Sequence, residues 1–248
     1  MFSITDSMST YSRTNLIVWL ALATQAGILN VGGFLACGRF VSHLTGFAGH
    51  FGMEAAHSQW FAALGMLTVP LFFLLGSILC AVLVDLRLKT RRRPLYEVTF
   101  GICSALIFVL SAAGQIGFFG DFGKPLELQH DFTLLAILCL VCGIQNAMVT
   151  SVSKSIVRTT HLTGITTDLG IGIVRWLHRH KHPQFGEEES KANTMRAGII
   201  IFFGIGSMVG AWAFYNWEYL GFVIPGFISF GLFAKSLRRF RVFEAKQK

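Results

Sequence analysis

Charge is scarce in this sequence, and the little there is comes in blocks. Only 14% of the 248 residues are Asp, Glu, Lys or Arg, against 53% hydrophobic, where a soluble domain carries roughly a quarter charged residues. Leu16–Leu29, Thr68–Val84, Leu134–Val141 and Ile199–Phe214 contain no charge at all. No short alternating strands separate these runs, which disfavours a soluble α/β protein with a large core. Cysteine is sparse as well. Cys37, Cys80, Cys103, Cys139 and Cys142 lie in or beside apolar runs, which excludes a disulfide framework and a zinc site and makes them small packing residues. Cys139-x-x-Cys142 has redox spacing but sits in "LLAILCLVCGI" with no histidine nearby. Also missing are Gly-x-Ser-x-Gly, His-Glu-x-x-His and any nucleophile with a base at recognisable spacing, so no catalytic residue and no cofactor is assigned. The first apolar run lacks the n-region and cleavage site of a signal peptide and is read as retained.

What the sequence has instead is length of apolar chain. Six windows, roughly 15–37, 60–86, 97–119, 132–153, 196–216 and 219–236, are each long enough to cross a hydrocarbon core of about 30 Å. Two segments, about 39–57 and 158–176, are only partly apolar. The basic residues cluster: five in "RLKTRRR" (87–93), five between Arg175 and Arg196, and six from Lys235 onward, while "GDFGKPLELQHD" (120–131) has one Lys against three acids. Basic loops stay cytoplasmic. The basic runs, "HRHKH" (178–182) among them, are therefore read as topology, and no nucleic-acid partner is assigned. If both partly apolar segments crossed the bilayer, one basic cluster would be exported; if both enter and return, all clusters stay inside. The second arrangement is the economical one.

Those two segments share a tetrapeptide. "VSHLTGFAGHFG" (41–52) and "TTHLTGITTDLG" (159–170) both contain His-Leu-Thr-Gly, and "GILN" (27–30) precedes the first as "GIQN" (143–146) precedes the second. Gly76-Ser77 in "FFLLGSIL" likewise resembles Gly206-Ser207 in "FFGIGSMV". Each half reads span, short segment, span, span, and three crossings per half force the halves to run in opposite senses. The expected fold is an all-α membrane protein of six transmembrane helices, arranged as a 3+3 inverted-topology repeat with two re-entrant half-helices. Its parts are a cytoplasmic tail (1–14), a first repeat (15–119), an outer loop (120–131), a second repeat (132–236) and a basic cytoplasmic tail (237–248).

The stretches Arg39–His43 and Val157–His161 are expected to extend about 16 Å toward the midplane. Thr45 and Thr163 are then expected to cap short helices beginning at Gly46 and Gly164. Two helix amino ends meeting there offer N–H groups and partial positive charge to an anion or a carbonyl-rich solute. Arg39 and Arg158 at the entrances favour the same sign. The candidate solute-binding residues are Asn30, His43, Thr45, Gly46, His50, Gln145, Asn146, Thr160, His161, Thr163, Gly164, Thr167 and Asp168. For each a plainer role competes. The histidines can hold a loop to a carbonyl. The amides Asn30, Gln145 and Asn146 can satisfy unwound backbone, and some of the hydroxyls can only bond backbone. His50 and Asp168 match across the repeat, and an ionisable pair at such depth is a candidate proton relay; two separate wet vestibules are the alternative.

"GILN" followed by "FVSHLTG", together with "GIQNAMV" and "VRTTHLTGITTDL", resembles the YoaK family of bacterial multi-pass inner-membrane proteins, a domain of unknown function. The resemblance spans about 15–240. In that family's pattern the first Thr-Gly is followed by Asn and the position of Asn30 is often acidic; here Phe47 and Asn30 stand instead. The resemblance implies a transporter or permease in the bacterial inner membrane without naming a substrate. The expected function is thus a transporter or facilitator for a small polar or anionic solute, multi-pass, with both termini cytoplasmic. A proton-coupled cycle and a homo-oligomer are both compatible with it. The alternatives are a channel of the same architecture, a non-transporting scaffold or receptor and, with the weakest support, an intramembrane hydrolase.

Overall fold

The computed structural model describes residues 13–124, 129–152, 162–180 and 186–245, which form helices and the turns joining them. α1 (Arg13–Cys37) is followed by a short α2 (Leu44–Ala56) and by α3 (Trp60–Cys80). α3 continues through a π-helical segment (Ala81–Asp85) into a last turn, α4 (Leu86–Lys89), and α5 (Tyr96–Gln115) returns. The second half has α6 (Gln129–Val152), a short α7 (Leu162–Leu177), α8 (Glu187–Trp217), a 3-10 segment (Glu218–Phe222) and α9 (Val223–Ala245).

Among the described residues, five helical stretches are long and apolar enough to cross a membrane: Asn15–Cys37, Trp60–Lys89, Tyr96–Gln115, Phe132–Ser151 and Glu189–Arg238. The last is 50 residues long, more than twice what one crossing needs, and it folds back on itself. Glu218 takes φ 47° at the reversal, and Tyr219 just beyond it packs against Gly114 at the end of α5. Rings of Phe119, Phe122, Phe214 and Phe222 close this end of the bundle, with Phe122 edge-on to Tyr219 at 5.1 Å and Phe214 edge-on to Phe222 at 4.6 Å.

Helix directions follow from which residues face each other. Along α1 and α8, Gly198 faces Leu20, Gly206 faces Thr24, Gly210 faces Ile28, and Phe214 covers Gly32; both numbers rise together, so the helices are parallel. α3 and α6 are also parallel, with Gly65 facing Phe132 and Gly76 facing Leu140 and Ile144. α5 and α9 are antiparallel, since Gly101 faces Phe233, Ser104 Oγ donates to Gly226 O (3.2 Å) and Ser111 Oγ to Tyr219 O (2.9 Å). α1 and α6 are antiparallel too. Gln145 Nε2 donates to Leu22 O (2.6 Å), while Val41, packed on Gly33, takes Cys139 Sγ on its carbonyl (3.4 Å).

Small residues make the tight crossings. A methyl group at Gly27 would strike Phe203 O and one at Gly206 would strike Thr24 O; one at Gly76 would strike Leu140 O and one at Gly143 would strike Phe73 O. Without side chains there, backbones approach closely, and packing of this kind holds helices together where lipid offers no hydrophobic contrast. The serines that follow Gly76 and Gly206 use the proximity. Ser77 Oγ bonds Phe73 O (3.0 Å) and Gly143 O (3.3 Å); Ser207 Oγ bonds Phe203 O (3.0 Å) and Gly27 O (3.5 Å).

The core lies along α1 and α6, where Leu22, Ile28, Leu29, Leu134, Leu138 and Ile144 are fully buried. α3 presents Phe61, Leu64, Leu67, Leu71, Leu74 and Ile78 outward, and α8 presents Ile201, Ile205, Met208 and Trp212. An apolar belt of this extent is what a surface solvated by a bilayer carries. All five cysteines are buried thiols within the bundle, not bridged to one another.

Three element limits differ most from the sequence expectation, the first being α9, which runs on to Ala245, beyond the expected end at 236. α5 stops at Gln115, because Gly117 at φ 81° breaks the helix. α8 begins at Glu187 instead of near 196, because the polar stretch "EEESKAN" continues the helix beyond its apolar part, tied by a Lys191–Glu187 ion pair of 2.5 Å.

Candidate functional site

α1 ends where Gly38 takes φ 67°, a left-handed conformation in which glycine carries no Cβ penalty. The chain then turns back along α1. Val41 is fully buried against Gly33, and Asn30 Oδ1 accepts hydrogen bonds from Ser42 Oγ (2.9 Å) and Ser42 N (3.4 Å). Asn30 precedes Cys37 by seven residues, so the loop penetrates about 10 Å below the end of α1 at about 1.5 Å per residue. From that depth α2 runs back toward the start of α3, its principal partner.

The local geometry corrects the capping expectation. The segment before α2 is turned, with His43 N on Phe40 O (3.3 Å), and it is not a straight five-residue run. α2 begins at Leu44 with His43 as N-cap, and no side chain caps it. The first intrahelical bond already runs from Gly46 N to His43 O (3.0 Å). Thr45 therefore sits within the first turn, too late to cap. The same holds in the second copy: α7 begins at Leu162, which puts Thr163 and Gly164 inside the helix, where Thr163 O accepts from Thr167 Oγ1 (3.0 Å).

In the first copy, His43 and Thr45 are exposed and Gly46 and His50 half-buried. His43, Gly46 and His50 line one cavity together with Arg39 and the stacked rings of Phe34 and Phe40 (4.4 Å apart). In the second copy, Thr163, Gly164, Thr167 and Asp168 are exposed, and α7 buries only Ile165 and Gly172. Thr160 and His161, with the stretch Val157–His161, lie outside the described residues. His50 and Asp168 make no ion pair with each other; the charges that act on His50 are those of Arg39 and Glu54. Asn146 is half-buried on α6, where its backbone oxygen accepts from Thr150 Oγ1 (2.8 Å).

Gln145 is fully buried in a chain of bonds that sequence reasoning did not foresee. Gln25 Nε2 donates to Gln145 Oε1 (3.2 Å), and Ser229 Oγ donates to Gln25 Oε1 (3.0 Å), so α1, α6 and α9 meet at one polar cluster. The signal was present: Gln25 is the one amide in the uncharged run Leu16–Leu29. Ser42 was missed because nothing in the sequence pairs it with Asn30.

α7 is fastened to α8 near the basic end. Glu189 takes Arg196 Nη1 at 2.7 Å and Arg175 Nη1 at 3.7 Å, and Arg196 also donates to Asn193 Oδ1 (2.8 Å). Gly172 faces these groups, and a methyl group there would collide with them. Glu189→Gln keeps an acceptor but removes the charge shared by two arginines. It is expected to lower stability by about 1 kcal/mol, read as a small fall in melting temperature that high salt narrows. Arg175→Gln, at the exposed side of the cluster, should cost less.

No curated protein and no solved structure matches the chain. A family model described as a protein of unknown function (DUF1275) matches residues 18–234, nearly the stretch over which the YoaK resemblance runs. The two His-Leu-Thr-Gly copies and all four crossing glycines fall inside it, and this chain belongs to that family.

Proposed function

We propose that the protein is a secondary transporter or facilitator for a small polar solute, anions included, with its binding place at the starts of α2 and α7. It performs no covalent chemistry in this reading. One observation carries it. The α1–α8 crossing through Gly27 and Gly206 and the α6–α3 crossing through Gly143 and Gly76 are equivalent, both parallel, each with a serine hydroxyl on the opposing glycine carbonyl. Exchange of the two halves maps one crossing onto the other. With three crossings per half, that exchange makes an inverted-topology repeat, an architecture recurrent among transporters whose sites lie where irregular segments meet.

The helix directions support re-entrance. α3 is parallel to α6 and α6 antiparallel to α1, so α1 ends where α3 begins and the α2 segment leaves by the side it entered. By the same directions α6 ends where α8 begins, and α7 returns to the opposite side. Backbone irregular at such depth survives only against protein or a wet cavity. The described residues of the 87–93 and 175–196 clusters and the end of α9 share one end of the bundle, and Asp121 and Lys124 fall at the other. The positive-inside rule then assigns the basic end, with Arg13 and the end of α9, to the cytoplasm of a bacterial inner membrane.

A second reading has an observation in its favour. Gln25, Gln145 and Ser229 bond one another, and Asn30 bonds Ser42, as a non-transporting scaffold or receptor would have its polar groups do. These amides serve as positioning groups in either case, which leaves the short-helix residues for the solute.

Uptake into proteoliposomes, screened over anions, nucleobases and organic acids with and without a pH gradient, decides between the readings. Transport predicts saturable uptake that falls several-fold in Thr45→Val and in Thr163→Val. Unchanged uptake in both would show the site misassigned, and no uptake of any solute would favour the scaffold. Proton coupling through His50 and Asp168 predicts that His50→Gln or Asp168→Asn abolishes the effect of the pH gradient; persistence of that effect in both rules it out.

A further inference from the structure

The cavity at the start of α2 has a chemistry of its own. It is a half-open cavity of about 110 Å³, well below the roughly 300 Å³ at which drug-sized pockets begin, so it fits a ligand of about ten heavy atoms or fewer. Its polar lining is entirely basic or neutral: Arg39, His43 and His50, with no carboxylate among the lining residues. Arg39 is half-buried, and among the described residues it has no acidic partner in ion-pairing range. Among the described residues its Nη1 bonds the carbonyl of Gly38 (3.0 Å) and no other group, and its Nε is buried with no hydrogen-bond partner.

A guanidinium taken partly out of water with no carboxylate in ion-pairing range is costly, and its planar fork matches carboxylate geometry; the acid that acts on this cavity is Glu54, whose charge reaches His50. The amino end of α2 adds partial positive charge at the same place. In the same lining the Phe34 and Phe40 rings, stacked at 4.4 Å and 16°, supply apolar surface. Gly46 keeps the floor open, since the His43 imidazole lies over it, with Nδ1 at 3.0 Å from where a Cβ would stand.

We propose that this cavity binds a small organic carboxylate, with the carboxylate on the Arg39 guanidinium and the first turn of α2 and the apolar part of the ligand against Phe34 and Phe40. The proposal deepens the transporter reading by naming a substrate class for the first of its two half-sites. It rests on that reading only for the step from binding to transport.

The test uses the full chain in nanodiscs of zwitterionic lipid, in low-chloride buffer, titrated calorimetrically with benzoate, its neutral isostere benzamide, and sulfate. Benzoate should bind at least about tenfold more tightly than either benzamide or sulfate. Arg39→Gln should weaken benzoate by about tenfold or more, the measure of a lost charge-assisted hydrogen bond, and Arg39→Lys by less. Equal binding of benzamide, sulfate as tight as benzoate, or benzoate affinity unchanged in Arg39→Gln would each overturn the proposal. Should Arg39→Gln not fold, the three-ligand comparison on the wild-type chain still decides. Benzoate binding without uptake of any solute would sink the transporter reading and leave the site standing. Uptake of neutral solutes alone, with no benzoate bound, would do the reverse.

Discussion

Gly143→Val should be among the most damaging single substitutions in this protein, and Gly27→Val should match it. At both positions the missing side chain lets a neighbouring backbone carbonyl, Phe73 O or Phe203 O, occupy the space where a Cβ would stand. The obstacle is main chain in the middle of a helix, which no rotamer change can clear, so α6 and α3, or α1 and α8, must move apart. Overpacking of a tight contact costs about 3 kcal/mol at the upper end of the usual range and more where backbone must shift. For a chain of this size that is roughly 6–12 °C or more in melting temperature. Separation would also break the Ser77–Gly143 or Ser207–Gly27 bond. The control is Gly204→Ala, where nothing lies within 4 Å of the added methyl. Thermal melts in detergent with size-exclusion profiles measure all three. Equal and large losses at Gly27 and Gly143 with a silent Gly204 are expected; a tolerated valine at either crossing would mean that the helices do not pack as described.

The second large effect is expected at the buried amides. In Gln25→Leu, Gln145 Oε1 loses its donor and Ser229 Oγ its acceptor, and both remain buried away from water. A polar group left unsatisfied in that way costs about 1–3 kcal/mol, and lipid on the outside of the bundle supplies no replacement partner. Gln145→Leu should cost a similar amount, since it leaves Gln25 Nε2 without its acceptor and removes the second bond on Leu22 O, a carbonyl that keeps its place in helix α1. The double substitution should cost clearly less than the two single losses added, because the second leucine removes the group that the first one stranded. Additive losses would mean the two amides are not coupled. Uptake by Gln25→Leu, measured beside its stability, separates a positioning role from contact with a solute: a positioning group changes transport only as far as it changes folding.

Much of the architecture could be read along the chain because the bilayer imposes a simple rule. Runs without charge that are long enough to cross must become helices, and the windows expected at 15–37, 60–86 and 132–153 correspond closely to α1, α3 with its extension, and α6. Helix limits were less legible, since a polar segment such as Glu187–Asn193 can extend a helix beyond the apolar layer without leaving a mark in hydropathy. The match between "GILN" and "GIQN", and between Gly76-Ser77 and Gly206-Ser207, pointed at the residues that make the two close crossings. It did not say that Gly27 faces the second half and not its own. That pairing is a matter of which helix lies beside which, and no local pattern encodes it.

The candidate site was legible in part. His43, Gly46 and His50 line one cavity, as nearness in sequence along a short helix would have them do, whereas Arg39 joins them only because the chain folds back after Gly38. Thr45 and Thr163 were read as caps because threonine is a common N-cap residue; α2 starts earlier, at Leu44, since the backbone at His43 already closes its first turn, and α7 is already helical at Leu162. Asn30 and Gln145 were named without their partners. Ser42 lies twelve residues away from one and Gln25 lies 120 residues away from the other, and hydrogen-bond partners at such separations are chosen by packing.

By itself the sequence determined that this is a helical, apolar, membrane-type protein with most of its basic residues gathered in three blocks, because charge and hydrophobic length are properties of contiguous residues and the bilayer acts on them locally. The tertiary structure alone decided that each half clasps the other through glycine, that the amides of α1 and α6 bond each other, and that Arg39 faces a cavity with no acid in its lining. Those outcomes depend on the close approach of backbones distant in the chain, and a backbone's neighbours are set by the packing of the whole bundle.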